Sequence, residues 1–327
     1  MFPEPFQDVI ILTGPTGSGK TRLGIEWAQR LDAEVISMDS MALYRGMDIG
    51  TAKPTAEERN RVRHHLIDVL DPWEGATVAW WLEQAAACCR DIRARRKRVL
   101  LVGGTPLYVK ALLRGLFDGP AKDAAIRDRL TQEAEARGSR ALHERLAQAD
   151  PVTAARVHPN DLRRIIRALE VQELTGQPIS AWQKQWQSAV GSRQSAVGSP
   201  HSAARKQLPT AECRLPTGYW LDLPRDELYA RINRRVEEMF AAGLVDEVRG
   251  LWALPRGLSR EAQQALGYKE VFAYLDGFVS LEETIRQVQL RSRNFAKRQI
   301  SWFRHLSELR PLTGELTEAP PGLTIEK

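Results

Sequence analysis

The sequence predicts an α/β fold in which a parallel sheet is flanked by helices and an all-helical domain is inserted. The apolar run Val9–Thr13 leads through a glycine-rich loop into a helical pattern. Two more strand-sized apolar runs, Ala33–Ser37 and Val99–Val102, alternate with amphipathic stretches, as the strands and covering helices of a parallel sheet do. From Lys122 onward, Ala, Arg, Glu and Gln recur at helical spacing, which predicts the helical insertion.

Changes in composition predict where the segments of the chain begin and end. A strand pattern returns at Gly218–Leu223, so the sheet resumes after the helical stretch and the core is discontinuous. Before that strand lies a tandem heptad, QSAVGSR followed by QSAVGSP, which buries too little apolar surface to offset chain entropy. The predicted segments are a P-loop core of residues 1–121 and 215–312, a helical insertion of 122–186, a flexible linker of 187–214 and a tail of 313–327.

The overall composition is that of a globular protein that works in the cytoplasm. The 327 residues are 43% hydrophobic and 27% charged, and the N-terminal segment resembles neither a signal peptide nor a membrane span. Cys88, Cys89 and Cys213 have no metal-ligand spacing and form no disulfide framework. The net charge of +6 favours an anionic partner. We expect a cytoplasmic monomer without a membrane partner.

The glycine-rich loop carries the pattern G-x-x-x-x-G-K-T of a P-loop. Its glycines allow backbone N–H groups to turn inward on an anionic oxygen cluster, and the start of the following helix adds partial positive charge. Lys20 adds a full charge, and the Thr21 hydroxyl can hold a Mg²⁺ ion that the phosphates share. A plain turn between strand and helix is the alternative. The predicted phosphate or diphosphate site comprises Gly14, Pro15, Thr16, Gly17, Ser18, Gly19, Lys20 and Thr21.

Asp39 follows the second predicted strand and is a candidate for chemistry. Ligands of an open parallel sheet bind beyond the carboxyl ends of the strands, so Asp39 is expected close to the phosphate loop. A turn or helix-cap aspartate is its alternative role. The strand Val99–Val102 ends in two glycines and Thr105, whereas a nucleotide hydrolase needs an aspartate there to hold Mg²⁺-bound water. This ending argues against a nucleotide hydrolase.

Two predicted helices concentrate cations. Arg163–Arg167 carries three arginines, and the first and last of them lie four residues apart on one helix face. The last predicted helix, Leu281–His305, carries six cations interleaved with aromatic residues, which suits a phosphate-backbone surface. A solvated helix face is the alternative. The six cations are Arg286, Arg291, Arg293, Lys297, Arg298 and Arg304.

Several motifs follow one another in a characteristic order. They are Gly14–Thr21, Ser37–Met41, Tyr44–Pro54, Gly103–Tyr108, Arg156–Asp161 and Ala296–Trp302. Together they resemble the signatures of the tRNA dimethylallyltransferases, also called tRNA isopentenyltransferases. The resemblance covers nearly the whole chain apart from the linker and the tail. Because no terminal Cys/His zinc module is present, the chain resembles the bacterial type rather than the eukaryotic one.

The resemblance implies a prenyl transfer reaction. A dimethylallyl group would move from dimethylallyl diphosphate to the exocyclic amine of the adenosine that is 3′-adjacent to the anticodon of a tRNA. The P-loop would hold the diphosphate with Mg²⁺, Asp39 would act as general base, and Thr105 would hydrogen-bond beside it. Arg231 matches a helix arginine that contacts the diphosphate, with Arg234 and Arg235 close by. The implied partners are dimethylallyl diphosphate and the tRNA anticodon stem-loop.

The resemblance also implies which residues contact the tRNA. The target base must leave its stack to reach a buried donor, so a flipped adenosine is expected. The implied contacts are Asp39, Ser40, Met41, Ala42, Thr105, Arg127, Arg163, Arg164, Ile165, Ile166, Arg167, Gln263, Gln264, Ala265, Leu266, Gly267, Tyr268, Lys297, Arg298, Gln299, Ile300, Ser301, Trp302, Phe303 and Arg304.

Three other functions stay open at this point. A small-molecule kinase would use ATP in the same loop. It would also need the aspartate at the strand end, which this chain lacks. An adenylate isopentenyltransferase would prenylate free AMP and would not need the cationic helices. A nucleotide-dependent RNA-binding or regulatory protein without chemistry would not depend on Asp39.

Overall fold

The computed structural model describes residues 4–116, 119–182 and 217–313, and these contain a six-stranded sheet in which every neighbouring pair is parallel. The predicted linker of residues 187–214 lies outside the described residues, as does the tail from residue 314 onward. The strand order is β3-β2-β4-β1-β5-β6. The strands are β1 (Ile10–Thr13), β2 (Ala33–Ser37), β3 (His64–His65), β4 (Arg98–Gly103), β5 (Thr217–Leu221) and β6 (Leu309–Leu312). The predicted α/β class with a parallel, helix-flanked sheet is confirmed.

Helices occupy most of the described chain between the strands. None of those described is long and apolar enough to cross a bilayer. The helices are α1 (Lys20–Leu31), α2 (Ala56–Arg61), α3 (Val78–Ala94), α4 (Pro106–Arg114), α5 (Ala124–Arg137), α6 (Ser139–Ala149), α7 (Pro151–Ala154), α8 (Leu162–Thr175), α9 (Arg225–Ala241), α10 (Leu244–Trp252), α11 (Arg260–Gln263), α12 (Tyr268–Leu275) and α13 (Leu281–Arg304).

The strand β1 is the centre of the sheet and is buried along its whole length between β4 and β5. Its side chains alternate between two hydrophobic clusters, as the period of two in a strand requires. Ile11 belongs to the cluster that contains Trp81 of α3, and Leu12 belongs to the cluster that contains Trp27 of α1. Trp27 packs edge-on against Tyr219 of β5 at 5.6 Å between ring centroids. Burial on both faces fixes where the loop after β1 emerges.

The carboxyl ends of β2 and β4 approach each other unusually closely. Ser37 pairs with Val102, and the Met38 amide donates to the Val102 carbonyl at 2.8 Å. A Cβ atom on Gly103 would lie 2.3 Å from the Met38 carbonyl carbon, so only glycine allows this approach. Thr13, at the end of β1, donates its hydroxyl to the Gly103 carbonyl at 2.7 Å. The ends of β1, β2 and β4 therefore converge at one point.

Two strands differ from the sequence-based expectation. The sequence also predicts a third strand from His64 to Val69. In the structure β3 contains only His64 and His65, because Leu66 and Asp68 adopt φ angles of 59° and 56°. These left-handed conformations turn the chain out of an extended path. The strand β6 was not predicted, and it pairs with β5 at the edge of the sheet.

The chain divides into two compact units, one of residues 114–208 and one of 2–113 with 209–327. Within the described part of the first unit, α5 to α8 pack around a core that includes Leu130, Leu142, Ile165 and Leu169. Three of these four helices begin at capping aspartates, such as Asp123 for α5, whose carboxylate accepts from the Ile126 amide. This unit is helical, and its core is built from its own residues.

A buried carboxylate, Glu170 of α8, connects α8 to α5. Arg127 donates to both of its oxygens at 2.7 and 2.8 Å, and Arg167 donates to Oε2 at 2.7 Å. Burial alone would raise the pKa of Glu170, but the hydrogen bonds from Arg127, Arg167 and the Asp123 amide lower it to about 2. Removing one partner of a buried ion pair typically costs about 3–5 kcal/mol, so these arginines have a structural role whatever else they contact.

Candidate active site

The loop after β1 leads directly into the first turn of α1. Gly17 and Gly19 have φ angles of 78° and 86°, which L side chains rarely adopt. A Cβ atom on Gly14 would lie 2.9 Å from the Ser18 hydroxyl. Among the residues that the structure describes, that buried hydroxyl has no hydrogen-bond partner. The loop therefore offers backbone amides and a buried hydroxyl to an anionic ligand, as its sequence pattern predicts.

Lys20 begins α1 and points its ammonium along the loop. The ammonium lies 3.5 Å from the Pro15 carbonyl, a long and weak hydrogen bond. Burial lowers the pKa of Lys20 to about 8, the negative charge of Asp39 opposes this shift, and the positive charge of Arg235 adds to it. Lys20 is thus a cation with little local compensation, and an anionic ligand in the loop would stabilise its charge.

Asp39 and Thr105 lie side by side just beyond the converging strand ends. The Asp39 carboxylate accepts from the Met41 amide at 2.9 Å through Oδ1, and in the described part of the chain no donor occupies Oδ2. The Thr105 hydroxyl accepts from the Ser40 amide at 3.0 Å, and the Thr105 amide donates to the Met38 carbonyl. These bonds hold the turn that carries Asp39 against the end of β4. The half-buried carboxylate keeps one oxygen free for a proton.

Two arginines of α9 reach the phosphate loop, and only Arg231 was predicted as a site residue. Arg231 is paired with Glu227 at 2.5 Å, and its guanidinium lies 3.7 Å from where a Cβ on Gly19 would be. Arg235 donates to the Thr16 hydroxyl at 3.3 Å, and burial lowers its pKa while Asp39 opposes the shift. Because residues four apart share a helix face, the spacing of the two arginines was the signal that Arg235 belongs to the site.

The loop that follows Asp39 is held by two charged clusters. Glu247 of α10 accepts from three consecutive amides, those of Asp48, Ile49 and Gly50, at 2.8–3.2 Å. Its Oε1 also accepts from the hydroxyl of Tyr268 at 2.6 Å. The buried Lys53 donates to Asp48 and to Asp68, each at 2.6 Å. This irregular segment is therefore fixed without regular secondary structure.

Asp68, the one aspartate of the predicted third strand, is fully engaged in these contacts. Lys53 and Arg59 each donate to it at 2.6 Å. Burial alone would raise the pKa of Asp68, but these two cations lower it. Asp68 is thus a structural counter-ion and does not replace the aspartate that a nucleotide hydrolase places at a strand end.

The structure separates the residues predicted to contact tRNA into exposed and buried sets. Arg127 and Arg167 are bound to Glu170 as described, and Arg167 also donates to the Pro120 carbonyl. Ser40, Met41, Leu266 and Ile300 are half-buried, as are Asp39 and Thr105. The exposed residues are Arg163, Arg164, Gln263, Gln264, Lys297, Arg298, Ser301, Trp302 and Arg304. The buried ones are Ala42, Ile165, Ile166, Ala265, Gly267, Tyr268, Gln299 and Phe303.

A cavity of about 320 Å³ is lined by residues of α13 and by residues 264–270, which include the start of α12. Its charged and amide groups suit a nucleic-acid backbone or base. Lys269, Arg291 and Asn294 line it and were not among the predicted contacts. Trp302 of α13 is exposed, and the ammonium of Lys110 from α4 lies 5.7 Å from its ring centroid. The remaining lining residues are Gln264, Ala265, Leu266, Glu270 and Arg298.

The residues around the phosphate loop fit a magnesium ion that arrives with a diphosphate. No group of three or more His, Cys, Asp or Glu side chains able to hold a metal is found in the described ranges. Mg²⁺ is usually held by one or two protein oxygens together with phosphate oxygens and water. The Thr21 hydroxyl, half-buried in the first turn of α1, is such an oxygen. The site thus fits a substrate-borne ion rather than a metal cage.

Comparisons with known proteins find relatives that match most of the chain. A family profile described as IPP transferase matches residues 42–306. The tRNA dimethylallyltransferase of Rhodopirellula baltica is 42% identical over 330 residues, covering 98% of this chain and 92% of that protein. The tRNA dimethylallyltransferase of Geobacter metallireducens is 44% identical over 301 residues, covering 92% and 91%.

Solved structures give the same result for the fold. The full-length tRNA isopentenylpyrophosphate transferase of Bacillus halodurans aligns with a TM-score of 0.64 at 40% identity, covering 94% of this chain and 90% of that chain. A eukaryotic dimethylallyltransferase, crystallised in the course of acting on tRNA, aligns with a TM-score of 0.69 at 25% identity, covering 94% and 74%.

Proposed function

The chain belongs to the IPP transferase family, and from this premise we propose that it prenylates one adenosine of tRNA at the site described above. The donor is dimethylallyl diphosphate, and the acceptor is the exocyclic amine of the adenosine 3′-adjacent to the anticodon. One observation carries the proposal. Two cations, Lys20 and Arg235, contact the phosphate loop, and the turn that carries Asp39 is hydrogen-bonded to Thr105 at the neighbouring strand end.

In the donor half, the loop and its cations bind the diphosphate and receive its growing charge. The carbon–oxygen bond between the dimethylallyl group and the diphosphate breaks, and the electron pair stays with the diphosphate. Lys20, Arg235 and the loop amides stabilise that charge, which is the type of interaction that lowers a transition state most. When bound beside Thr21, Mg²⁺ would neutralise further charge on the leaving group. Arg231 stands at the rim of the loop as an additional cation.

In the acceptor half, the adenine amine attacks the freed carbon. An exocyclic amine of adenine is a weak nucleophile because its lone pair is delocalised into the ring. As the nitrogen–carbon bond forms, Asp39 takes one proton from the amine through its unoccupied Oδ2. The Thr105 hydroxyl accepts from the Ser40 amide and so helps to orient the turn that carries the Asp39 carboxylate. Atoms and charge balance without any further reactant.

The RNA is held by the exposed cations and by Trp302. Lys297, Arg298 and Arg304 project from α13, and Arg163 and Arg164 project from α8. Such contacts to phosphates supply affinity that falls with salt concentration. A flipped adenosine would then enter the space between Thr105 and the phosphate loop.

A transfer assay with three acceptors tests the proposed function. The purified protein is incubated with dimethylallyl diphosphate and Mg²⁺, and with unmodified tRNA, AMP or ATP in turn. We expect prenylated tRNA alone, with the product nucleoside identified by mass spectrometry at the position next to the anticodon. Prenylated AMP would instead indicate an adenylate isopentenyltransferase, and ATP turnover without transfer would indicate a kinase or hydrolase.

The lowered pKa of Lys20 predicts how donor binding depends on pH. Below a pKa of about 8 the ammonium is charged and contributes to binding of the diphosphate. Above it the free protein loses that charge, so binding must take up a proton and affinity falls by up to about tenfold per pH unit. Titration calorimetry with an unreactive donor analogue between pH 7 and 10 measures this. In Lys20→Arg the guanidinium stays charged, so the alkaline decline should disappear; a decline that persists would assign it to another group.

A further inference from the structure

The side-chain amide of Gln299 is buried inside the site rather than presented to the RNA. Only 2% of the residue is exposed, although it belongs to the cationic run of α13 predicted to contact tRNA. Its Oε1 accepts from the Thr16 amide at 2.9 Å, and its Nε2 donates to the Gly104 carbonyl at 2.6 Å. Both polar atoms are in use, so the orientation of the amide is fixed.

The two partners of Gln299 belong to different halves of the site. Thr16 is part of the phosphate loop, and its hydroxyl accepts from Arg235. Gly104 precedes Thr105, whose hydroxyl accepts from the amide of Ser40, the residue after Asp39. A single side chain therefore connects the donor-binding loop to the strand end that carries the acceptor groups.

Gly104 makes this connection possible because it has no side chain. A Cβ atom there would lie 2.7 Å from Nε2 of Gln299 and 3.1 Å from the Gly14 carbonyl. Lys20 is also close, with Cε 3.3 Å from the same position. The amide thus fits a gap that the loop, the strand end and Lys20 enclose together.

We propose that Gln299 is a positioning residue that sets the distance and orientation between the diphosphate-binding loop and the Asp39–Thr105 pair. The inference rests on the proposed function, because prenyl transfer requires the amine, the carbon and the leaving oxygen to be aligned. A misplacement of about 1 Å can cost about 100-fold in rate, so an amide that fixes two backbone segments has a large effect on the chemical step. It adds no contact to the RNA.

The test compares two substitutions of Gln299 with a matched control on the same helix. Gln299→Met keeps the length of the side chain and removes both hydrogen bonds. Gln299→Glu still accepts from Thr16 but places a carboxylate oxygen against the Gly104 carbonyl. The control is Gln289→Met, since Gln289 donates to the Asn233 carbonyl and to Glu237, away from the loop. Single-turnover transfer rate, tRNA affinity and donor affinity are measured for each, with thermal unfolding to compare stability.

We expect Gln299→Met to lower the single-turnover rate by about 100-fold with tRNA affinity unchanged. Gln299→Glu should also weaken donor binding, because it adds a negative charge near the diphosphate. The inference is overturned if Gln299→Met transfers at the rate of Gln289→Met, or if tRNA affinity collapses while the chemical rate survives. If the unsubstituted protein itself transfers no prenyl group to tRNA, the proposed function fails before Gln299 is judged.

Discussion

Replacing Asp39 by asparagine is expected to lower the single-turnover rate of prenyl transfer by about 10²–10⁴-fold, the usual contribution of a general base. The amide cannot take the proton that the adenine amine must lose. It preserves the shape of the side chain and can still accept from the Met41 amide, so the turn should keep its conformation. Affinity for tRNA should be largely retained because phosphate contacts elsewhere supply it. Rapid-quench kinetics and filter binding measure the two quantities separately.

The control for this substitution is Asp71→Asn. Asp71 pairs with Arg45 at 2.9 Å, and both side chains are partly in solvent. Asp71→Asn therefore changes the net charge by the same amount as Asp39→Asn but leaves the site intact. Asp39→Glu should fall between the two, since it keeps a carboxylate but displaces it. If Asp39→Asn binds tRNA poorly and yet reacts at the normal rate once bound, Asp39 is a binding residue instead of the base.

Replacing Arg235 by methionine is expected to lower the rate by about 10²–10³-fold and to weaken donor binding. Methionine fills the space of the aliphatic part but cannot stabilise charge on the departing diphosphate. The substitution also removes a positive charge that lowers the pKa of Lys20, so the alkaline decline in donor affinity should move to higher pH. Steady-state and single-turnover assays across pH 7–10 measure both effects.

Two neighbours on α9 are the comparisons for Arg235. Arg234 is exposed and pairs with Glu238 at 3.6 Å, so Arg234→Met should behave as the unsubstituted protein. Arg231→Met should cost less than Arg235→Met, because Arg231 already shares its charge with Glu227 in a partly exposed pair. A larger loss in Arg231→Met would make Arg231 the principal ligand of the diphosphate, as the sequence resemblance implied.

The central sheet and the phosphate loop were predictable because each depends on local pattern. The loop combines a buried strand, glycines at fixed spacing and a helix start within about a dozen residues, and β1 and β4 are continuous apolar runs. The strand β6 contains Arg310 and Pro311 and has no such run. Its existence depends on β5, which lies almost ninety residues away in sequence, so no local signal could predict it.

The placement of Asp39 was predictable from topology, whereas the direction of other side chains was not. A residue after a buried parallel strand must lie at the carboxyl edge of the sheet. By contrast, Gln299 and Arg167 sit in cationic stretches that suggest a surface for RNA, and the family resemblance implied the same for Arg127. Only the packing of helices shows that the first is turned into the site and that the arginines are held by Glu170. The periodicity of a sequence predicts which residues share a helix face, but it does not predict which element packs against that face.

The carboxylate of Glu247 gives the loop after Asp39 a property that its irregular backbone does not suggest. Three neighbouring amides and a phenol depend on one acceptor, so the segment can open only as a unit rather than one residue at a time. That acceptor lies about two hundred residues later in the chain. During synthesis on the ribosome, the amides of residues 48–50 therefore wait for α10 to emerge. An N-terminal fragment would contain the phosphate loop and Asp39 but would lack the acceptor for these three amides.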